Sequence, residues 1–273
     1  MNQPKTYARV LTIAGSDSGG GAGIQADLKT IAAHGCYGAS VITALTAQNT
    51  LGVSGIHAVP VDFVAAQMDA VLRDIGANAV KIGMLFSPEL IRTVAEGLRR
   101  HGVRTVVLDP VMVAQSGDKL LQDEAIDALK RELIPLATLI TPNLPEASVL
   151  LGRDIDTQEA ARAAVMDLAA MGCGNVLVKG GHLESGDSDD TLFLGRENRI
   201  VTFRGERIPT RNNHGTGCTL SSAIASNLAR GEDVESAVRL AKEYISGAIR
   251  AGAGYVIGHG HGPVHHFFRF FEE

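Results

Sequence analysis

Short apolar runs alternate along the chain with longer segments in which apolar residues recur every three or four positions. The run 9–14 predicts a buried strand, and Ile24, Leu28 and Ile31 follow it at helical spacing. Further strands are predicted at 39–46, 78–82, 103–108, 137–140 and 175–178, with helical patterns between them. Because alternating strands and helices build a mostly parallel sheet with helices on both faces, we predict a doubly wound α/β fold in one domain over residues 1–273.

One segment breaks this rhythm late in the chain. Residues 191–194 and 199–203 are both strand-like, and a short loop that contains Gly195 joins them. Two such runs with a glycine-containing connection of this length predict a small antiparallel hairpin. We expect this hairpin to form an edge of the sheet.

Charged residues of both signs are interspersed along the chain. The sequence has 25 Lys+Arg and 30 Asp+Glu, a net charge of -5, so it offers no basic surface for nucleic acid or an anionic membrane, and a small-molecule partner is expected. No stretch reaches about 18 apolar residues and no signal-peptide pattern opens the chain, which favours a cytoplasmic protein. Cys36, Cys173 and Cys218 are widely spaced, which argues against a disulfide framework or structural zinc and indicates a reducing compartment.

Two glycines frame a short turn that leads directly into an apolar helix pattern. Gly215, Thr216 and Gly217 stand at the predicted helix start, and we call residues 213–218 the anion turn. The first N–H groups of a helix lack internal partners and carry partial positive charge, so this turn predicts a phosphate site. Cys218 lies in that field, where its thiol is expected to ionise readily and to act as a base or nucleophile. A buried structural cysteine is the alternative.

A second glycine-rich segment, residues 15–23, joins the first strand to the first helix, and we call it the glycine loop. It is not a P-loop, because no Gly-Lys-Ser/Thr follows at the required spacing. Residues 21–26 match the looser dinucleotide pattern, but Thr46 and Gln48 stand where an acidic residue would hold a ribose. Alternatively, backbone amides and Asp27 line a pocket for a small polar substrate, or Asp27 is a solvated charge in the first helical turn.

Polar residues follow several predicted strands at their carboxyl ends, where open α/β sheets bind ligands. Gln48 has an amide donor and acceptor suited to the edge of a heteroaromatic ring, although loop capping is equally consistent with its position. Lys179 stands beside Gly180 and Gly181 and suits a phosphate, or is a solvated turn lysine. Residues 115–118 predict a loop over the site.

Residues with oxygen atoms that could bind a metal ion also follow these strands. Asp109, Asn143 and Glu146 would place a magnesium nucleotide through direct or water contacts, because Mg²⁺ prefers oxygen and retains several waters. Taken singly, each residue type is common in turns and caps. The histidines of residues 259–266 lack helical H-x-x-x-H spacing and a supporting carboxylate or cysteine, so the pattern gives little support for a metal there.

Six motifs occur in order along nearly the whole chain. They are Ala14-Gly15-Ser16-Asp17 through Gly19-Gly20-Gly21-Ala22-Gly23-Ile24-Gln25-Ala26-Asp27-Leu28-Lys29, Thr43-Ala44-Leu45-Thr46-Ala47-Gln48-Asn49-Thr50, Asp109-Pro110-Val111-Met112, Thr141-Pro142-Asn143, Lys179-Gly180-Gly181-His182 and His214-Gly215-Thr216-Gly217-Cys218-Thr219. The set resembles the hydroxymethylpyrimidine/phosphomethylpyrimidine kinases of thiamin biosynthesis, within the ribokinase-like superfamily. Asn213 is a departure, since the family more often has threonine there, and this puts the fine nucleotide contacts in question.

The resemblance implies a ribokinase-like three-layer αβα sandwich with an enzymatic activity. Such a kinase uses ATP and Mg²⁺ to phosphorylate 4-amino-5-hydroxymethyl-2-methylpyrimidine, and then phosphorylates the monophosphate to the diphosphate. We expect no nucleic-acid or membrane partner, and a homodimer is the assembly to test. A vitamin B6 kinase of the same fold, acting on pyridoxine or pyridoxal, is the alternative substrate class. A nucleotide-sensing binding protein or an NAD enzyme is the alternative outside the fold's kinases.

The same resemblance assigns roles to twelve residues of this chain. It implies Cys218 as the base with Gly215 and Gly217 in the anion turn, Gly15, Asp27, Gln48 and Met84 at the substrate, Asp109, Lys179 and Thr216 at the nucleotide, and Asn143 and Glu146 at the metal.

Overall fold

The computed structural model describes residues 5–112, 123–181 and 188–271. Its centre is a sheet of nine strands in the order β3-β2-β1-β4-β5-β6-β7-β8-β9. The strands are β1 (Arg9–Asp17), β2 (Tyr37–Asn49), β3 (Gly52–Ala58), β4 (Ala79–Ile82), β5 (Val106–Leu108), β6 (Leu139–Ile140), β7 (Asn175–Val178), β8 (Asp190–Leu194) and β9 (Arg199–Phe203). Strands β2, β1 and β4 to β7 pair in parallel, while β3, β8 and β9 join antiparallel.

Helices cover both faces of this sheet. They are α1 (Gly23–Ala33), α2 (Val61–Asp74), α3 (Pro88–Arg100), α4 (Asp123–Ala128), α5 (Leu144–Leu151), α6 (Gln158–Ala169), α7 (Thr216–Ala229) and α8 (Val234–Gly252). One core cluster joins α2 to α6 with one face of the sheet, and a second joins α1, α7 and α8 with the other. Strand β5 shows how one strand contributes to both clusters. Val106 and Leu108 enter the first cluster and Val107 enters the second, because successive side chains of a strand point to opposite faces of the sheet. The predicted mostly parallel, doubly wound sheet is confirmed.

Two elements differ from the sequence expectation. Strand β3 is antiparallel to β2 and largely exposed, so it lacks the apolar pattern that marks a core strand. The start of α5 is formed by Asn143 and Glu146, which the sequence favours as magnesium ligands: Asn143 caps the helix in a capping box with Glu146, and Pro145 lies in its first turn, where proline is tolerated. The predicted hairpin is β8–β9. The predicted loop 115–118 and His182 lie outside the described residues.

Candidate active site

A cavity of about 880 Å³ opens at the carboxyl ends of the parallel strands. Eleven of the twelve predicted site residues line it, namely Gly15, Gln48, Met84, Asp109, Asn143, Glu146, Lys179, Gly215, Thr216, Gly217 and Cys218. These residues come from loops that are far apart in sequence, so the sheet edge brings them together. The exception is Asp27.

The anion turn has the backbone shape that its glycines predict. Gly215 caps α7 with φ 80° and ψ 8°, a left-handed conformation, and a Cβ there would overlap the carbonyl oxygen of Gly21 in the glycine loop. The Thr216 hydroxyl donates to the Asn213 carbonyl at 2.6 Å, which closes the turn. The start of α7 is therefore packed directly against the glycine loop and faces the cavity.

A buried ion pair lies beside the anion turn. Lys179 Nζ lies 2.9 Å from Asp109 Oδ1 and 3.9 Å from Glu146 Oε2. Asp109 also accepts hydrogen bonds from the hydroxyls of Thr141 and Ser221, each at 3.2 Å. Because Ser221 belongs to α7, this network fixes the anion turn relative to the ends of β5 and β7. It leaves a lysine ammonium at the place where a phosphate would meet the helix start.

Opposite charges keep this cluster ionised in spite of burial. Burial opposes the charge of Asp109, but Lys179 and Lys81 outweigh it and lower the pKa of the carboxyl. Burial likewise opposes the charge of Lys179, but Asp109 and Glu146 raise the pKa of its ammonium. Glu146 differs, because burial dominates and raises its pKa to about 7. The site thus holds one firmly ionised pair and one carboxyl that a cation would ionise.

Asn143 and Glu146, the two residues predicted to bind the metal, are hydrogen-bonded to each other. Asn143 Oδ1 accepts from the Glu146 amide and Glu146 Oε2 accepts from the Asn143 amide, each at 2.8 Å. Among the described residues, no group of three or more His, Cys, Asp or Glu is arranged to hold a metal ion. Carboxylate and amide oxygens of this kind suit Mg²⁺ that is held mainly by nucleotide phosphates and reached through water.

The opposite end of the cavity contains a carboxylate that the sequence analysis did not single out. Asp17 accepts from the backbone N–H groups of Gly19, Gly21 and Ala22 at 2.8 to 3.0 Å, and its Oδ2 lies 2.9 Å from His214 Nε2. Since these amides are already paired with Asp17, the glycine loop does not present them to a pyrophosphate. The dinucleotide interpretation of this loop is therefore wrong.

His214 connects Asp17 to the predicted substrate residue Gln48. Burial opposes the charge of Asp17, but the His214 hydrogen bond and the loop amides outweigh it and lower the pKa of the carboxyl. Gln48 Nε2 lies 3.5 Å from His214 Nε2, and Gln48 Oε1 accepts from the Thr46 hydroxyl at 3.1 Å. The amide of Gln48 is thus oriented by neighbours while it lines the cavity.

Gly15 and Met84 form the apolar part of this end. A Cβ on residue 15 would come within 2.6 Å of Met84 Cε, so the absence of a side chain there allows the methionine to reach over the loop. Met84 is buried apart from 8% of its surface. The pair provides a flat apolar contact next to the polar edge formed by Gln48, an arrangement suited to a heteroaromatic ring.

The protonation of Cys218 differs from the expectation. Burial raises the pKa of this thiol to about 11; Lys81 lowers it, and the nearby carboxylates of Asp27 and Asp109 raise it. The position at a helix start is visible in the sequence, whereas the burial of the thiol depends on the tertiary structure. With this pKa Cys218 is a thiol near neutral pH, and a nearby positive charge favours its thiolate.

Asp27 is the predicted substrate residue that the structure places elsewhere. Its side chain is fully buried beneath the cavity, and its carboxylate accepts from Lys81 Nζ at 2.9 Å, from Thr12 at 2.6 Å and from Ser222 at 2.7 Å. It is neither on the cavity wall nor a solvated charge. A buried partner for Asp27 was visible in the sequence, since Lys81 is a lysine inside an otherwise apolar strand.

The C-terminal histidines make structural contacts around this site. The His261 amide donates to the Thr50 carbonyl at 2.9 Å, the His214 amide donates to the Gly262 carbonyl at 3.0 Å, and His266 Nε2 lies 3.1 Å from the Thr219 hydroxyl. The tail therefore binds both the end of β2 and the anion turn.

The fold and the site together define a ribokinase-like small-molecule kinase. A family model described as phosphomethylpyrimidine kinase matches residues 17–265. The chain belongs to the phosphomethylpyrimidine kinase family, and it is an enzyme that transfers a phosphoryl group.

Individual relatives agree with this assignment. The chain is 54% identical over 267 residues to the hydroxymethylpyrimidine/phosphomethylpyrimidine kinase of Rhizobium meliloti, covering 97% of this chain and 99% of that protein. It is 55% identical over 263 residues to the thiamine biosynthesis bifunctional protein ThiED of Geobacter sulfurreducens, covering 96% of this chain and 53% of that protein, so it spans about half of that relative. A solved ADP complex of Bacillus subtilis pyridoxal kinase superposes with a TM-score of 0.89 at 36% identity, covering 97% of this chain and 100% of that one.

Proposed function

We propose that this protein transfers the γ-phosphoryl group of ATP to 4-amino-5-hydroxymethyl-2-methylpyrimidine, and then to the resulting monophosphate, in thiamin biosynthesis. The observation that carries the proposal is the position of the anion turn and Cys218 in one cavity with Gln48 and Met84 at one end and Lys179 at the other. The names of the family and of the relatives in thiamine biosynthesis support it.

The first transfer follows from the chemistry of these groups. The substrate hydroxyl attacks Pγ as the thiolate form of Cys218 takes its proton and becomes a thiol; a new O–P bond forms, and the bond from Pγ to the β-phosphate oxygen breaks with its electron pair leaving on ADP. Phosphoryl transfer needs positioning and charge neutralisation more than covalent chemistry, so no enzyme-bound intermediate is required. Lys179 and the amides of the anion turn would hold the transferred phosphoryl, with Thr216 and Asp109 beside them.

Magnesium would neutralise the nucleotide phosphates when bound. Asn143 and Glu146 stand where they would contact its waters, and Glu146 would gain its full charge in the presence of such a cation, because burial and the Asp109 charge raise its pKa to about 7.

Pyridoxine is the second candidate substrate, because the pyridoxal kinase superposes over almost the whole chain. It also presents a hydroxymethyl group on a six-membered heteroaromatic ring. We further propose a cytoplasmic site of action, in keeping with three free cysteines. A homodimer remains a prediction, and light scattering tests it. Among the described residues no helix has the length and apolar character to span a membrane.

Product analysis by ³¹P NMR tests the substrate assignment. The protein is incubated with MgATP and either the hydroxymethylpyrimidine or pyridoxine. We expect a monophosphate resonance followed by diphosphate resonances with the pyrimidine, and at most slow monophosphate formation with pyridoxine. Phosphorylation of pyridoxine alone would replace the proposal by the second candidate.

Removing the Gln48 amide is expected to weaken use of the pyrimidine much more than use of ATP. Gln48→Ala takes away a ring-edge contact at the substrate end only, and the polar groups left unpaired cost about 1–3 kcal/mol. Steady-state KM values for both substrates measure the effect. Asn49→Ala, at the next and outward-facing position of β2, is the matched control. Equal loss of affinity for both substrates would remove Gln48 from the pyrimidine site.

Neutralising Glu146 is expected to raise the Mg²⁺ concentration needed for half-maximal activity. In Glu146→Gln the amide oxygen still accepts the capping bond from the Asn143 amide, so α5 keeps its start while the carboxylate charge is lost. Magnesium titrations at fixed ATP measure the change. Glu159→Gln, which alters an exposed first-turn acid of α6, is the control. An unchanged magnesium dependence would exclude Glu146 from the metal site.

A further inference from the structure

A buried ion pair that the proposed reaction does not yet use lies under the cavity floor. Lys81 on β4 and Asp27 on α1 are both 0% exposed, and Lys81 Nζ lies 2.9 Å from each carboxylate oxygen. Hydroxyls of Thr12 and Ser222 fill the remaining acceptor positions of Asp27. Because isolated buried charges are costly, such a complete set of partners compensates the burial of the pair and holds both side chains in place.

This pair is connected to the helix that carries Cys218. Ser222, which donates to Asp27, follows Cys218 by one turn of α7 and therefore lies on the same face of the helix. Lys81 itself lines the cavity together with Cys218. A Cβ at Gly83 would stand 2.8 Å from Lys81 Nζ, so a residue without a side chain leaves the room in which the ammonium lies.

The charges that act on the thiol come from four elements. Lys81 on β4 favours the thiolate, whereas Asp27 on α1 and Asp109 after β5 oppose it. Lys179 after β7 also interacts with Cys218, since the thiolate helps to raise the pKa of that lysine. Lys81 is the charged side chain that favours the thiolate most among these groups.

We propose that Lys81, held in place by Asp27, is a positioning residue that stabilises the Cys218 thiolate and thereby serves transfer to the hydroxymethyl group but not transfer to the monophosphate. The inference rests on the proposed function. In the first transfer the substrate O–H bond breaks and its proton goes to Cys218 Sγ. In the second transfer the nucleophile is a phosphate oxygen, which is already ionised near neutral pH because the second pKa of a phosphate monoester is about 6. No proton needs to move to Cys218 in that step.

The ratio of the two transfer rates separates this role from a structural one. Lys81→Met/Asp27→Asn replaces the pair by neutral side chains of similar size and leaves no buried charge unpaired. Turnover is measured with saturating ATP and either the hydroxymethylpyrimidine or its monophosphate. We expect the alcohol-to-monophosphate rate ratio to fall at least about tenfold, the equivalent of one pKa unit. Thr12→Val, which removes a neutral partner of Asp27 from the same network, should leave the ratio unchanged.

A second readout needs neither ATP nor turnover. The rate at which iodoacetamide alkylates Cys218, followed by mass spectrometry of its peptide, is measured against pH. The neutral double variant should shift the profile to higher pH. Asp27→Asn alone should shift it to lower pH, because the Lys81 charge then lacks its counter-ion. Unfolding by itself would move the profile to lower pH, toward the free-thiol pKa of about 8.5, so the far-UV circular dichroism of each variant must match that of the wild type.

Equal loss of both transfers, or no loss of either, would overturn the role of Lys81. If the double variant does not fold, an unshifted or upward-shifted alkylation profile of Asp27→Asn would overturn it. Failure of the proposed function gives a different result, since the wild-type protein would then phosphorylate neither the hydroxymethylpyrimidine nor its monophosphate.

Discussion

Cys218→Ser is expected to lower turnover of the hydroxymethylpyrimidine roughly 10²- to 10⁴-fold, the usual contribution of a general base, while MgATP binding survives. Serine keeps a small side chain and the backbone donors of the anion turn, but its hydroxyl is a far poorer base than a thiolate. The measurement is kcat at saturating substrate, with nucleotide affinity determined separately by calorimetry.

Two companion experiments test the same role of Cys218. Cys218→Asp should recover part of the rate, because the role requires proton acceptance and not sulfur chemistry. Alkylation of the wild-type thiol should inactivate the protein, and bound pyrimidine should protect it. Full activity of Cys218→Ser with intact ATP binding would make the cysteine structural.

Gly215→Ala is expected to disable the anion turn and to destabilise the whole protein. Residue 215 has φ 80°, and its Cβ would overlap the Gly21 carbonyl oxygen. A left-handed conformation alone costs a non-glycine residue about 1–3 kcal/mol, and relieving the overlap would push α7 away from the glycine loop. We expect a lower free energy of unfolding in denaturant titration, and ATP affinity reduced at least about tenfold, equivalent to 1.4 kcal/mol.

Gly217→Ala is the matched control within the same turn. A Cβ at residue 217 meets Lys179 Nζ at 3.4 Å and Asp109 Oδ2 at 3.5 Å, which are ordinary contacts, and its φ is not positive. The variant should keep the stability of the wild type and lose only affinity for the nucleotide. Comparable destabilisation by both substitutions would show that glycine at 215 is not specially required.

The core strands, most of the helices and the anion turn follow from local sequence patterns. Continuous apolar runs mark the strands that enter the core, because a sheet covered by helices on both faces buries successive side chains, and a period of 3.6 marks most of the helices. The glycines at 215 and 217 before an apolar pattern predicted the start of α7 and the turn that faces the cavity. Strand ends predicted which polar residues would meet, since parallel strands end at one edge of the sheet.

Strand β3 and helix α5 could not be predicted from apolar patterns. Strand β3 pairs at the sheet edge with little apolar burial, so its position depends on hydrogen bonds to β2 and not on a core pattern. Helix α5 has a capping box whose residues, Asn143 and Glu146, also suit a metal site, and the two uses have the same sequence signature.

Only the tertiary structure decided the electrostatics of the site. Asp27 and Lys81 are 54 residues apart in sequence. Because the two side chains pair in the interior, Asp27 does not line the cavity as predicted. Asp17 and His214, 197 residues apart, meet in the same way. Burial raised the pKa of the Cys218 thiol, where the helix start predicted the opposite. A charge's energy depends on its solvent exposure and on neighbours within a few ångströms, and for these residues both are set by packing between distant parts of the chain.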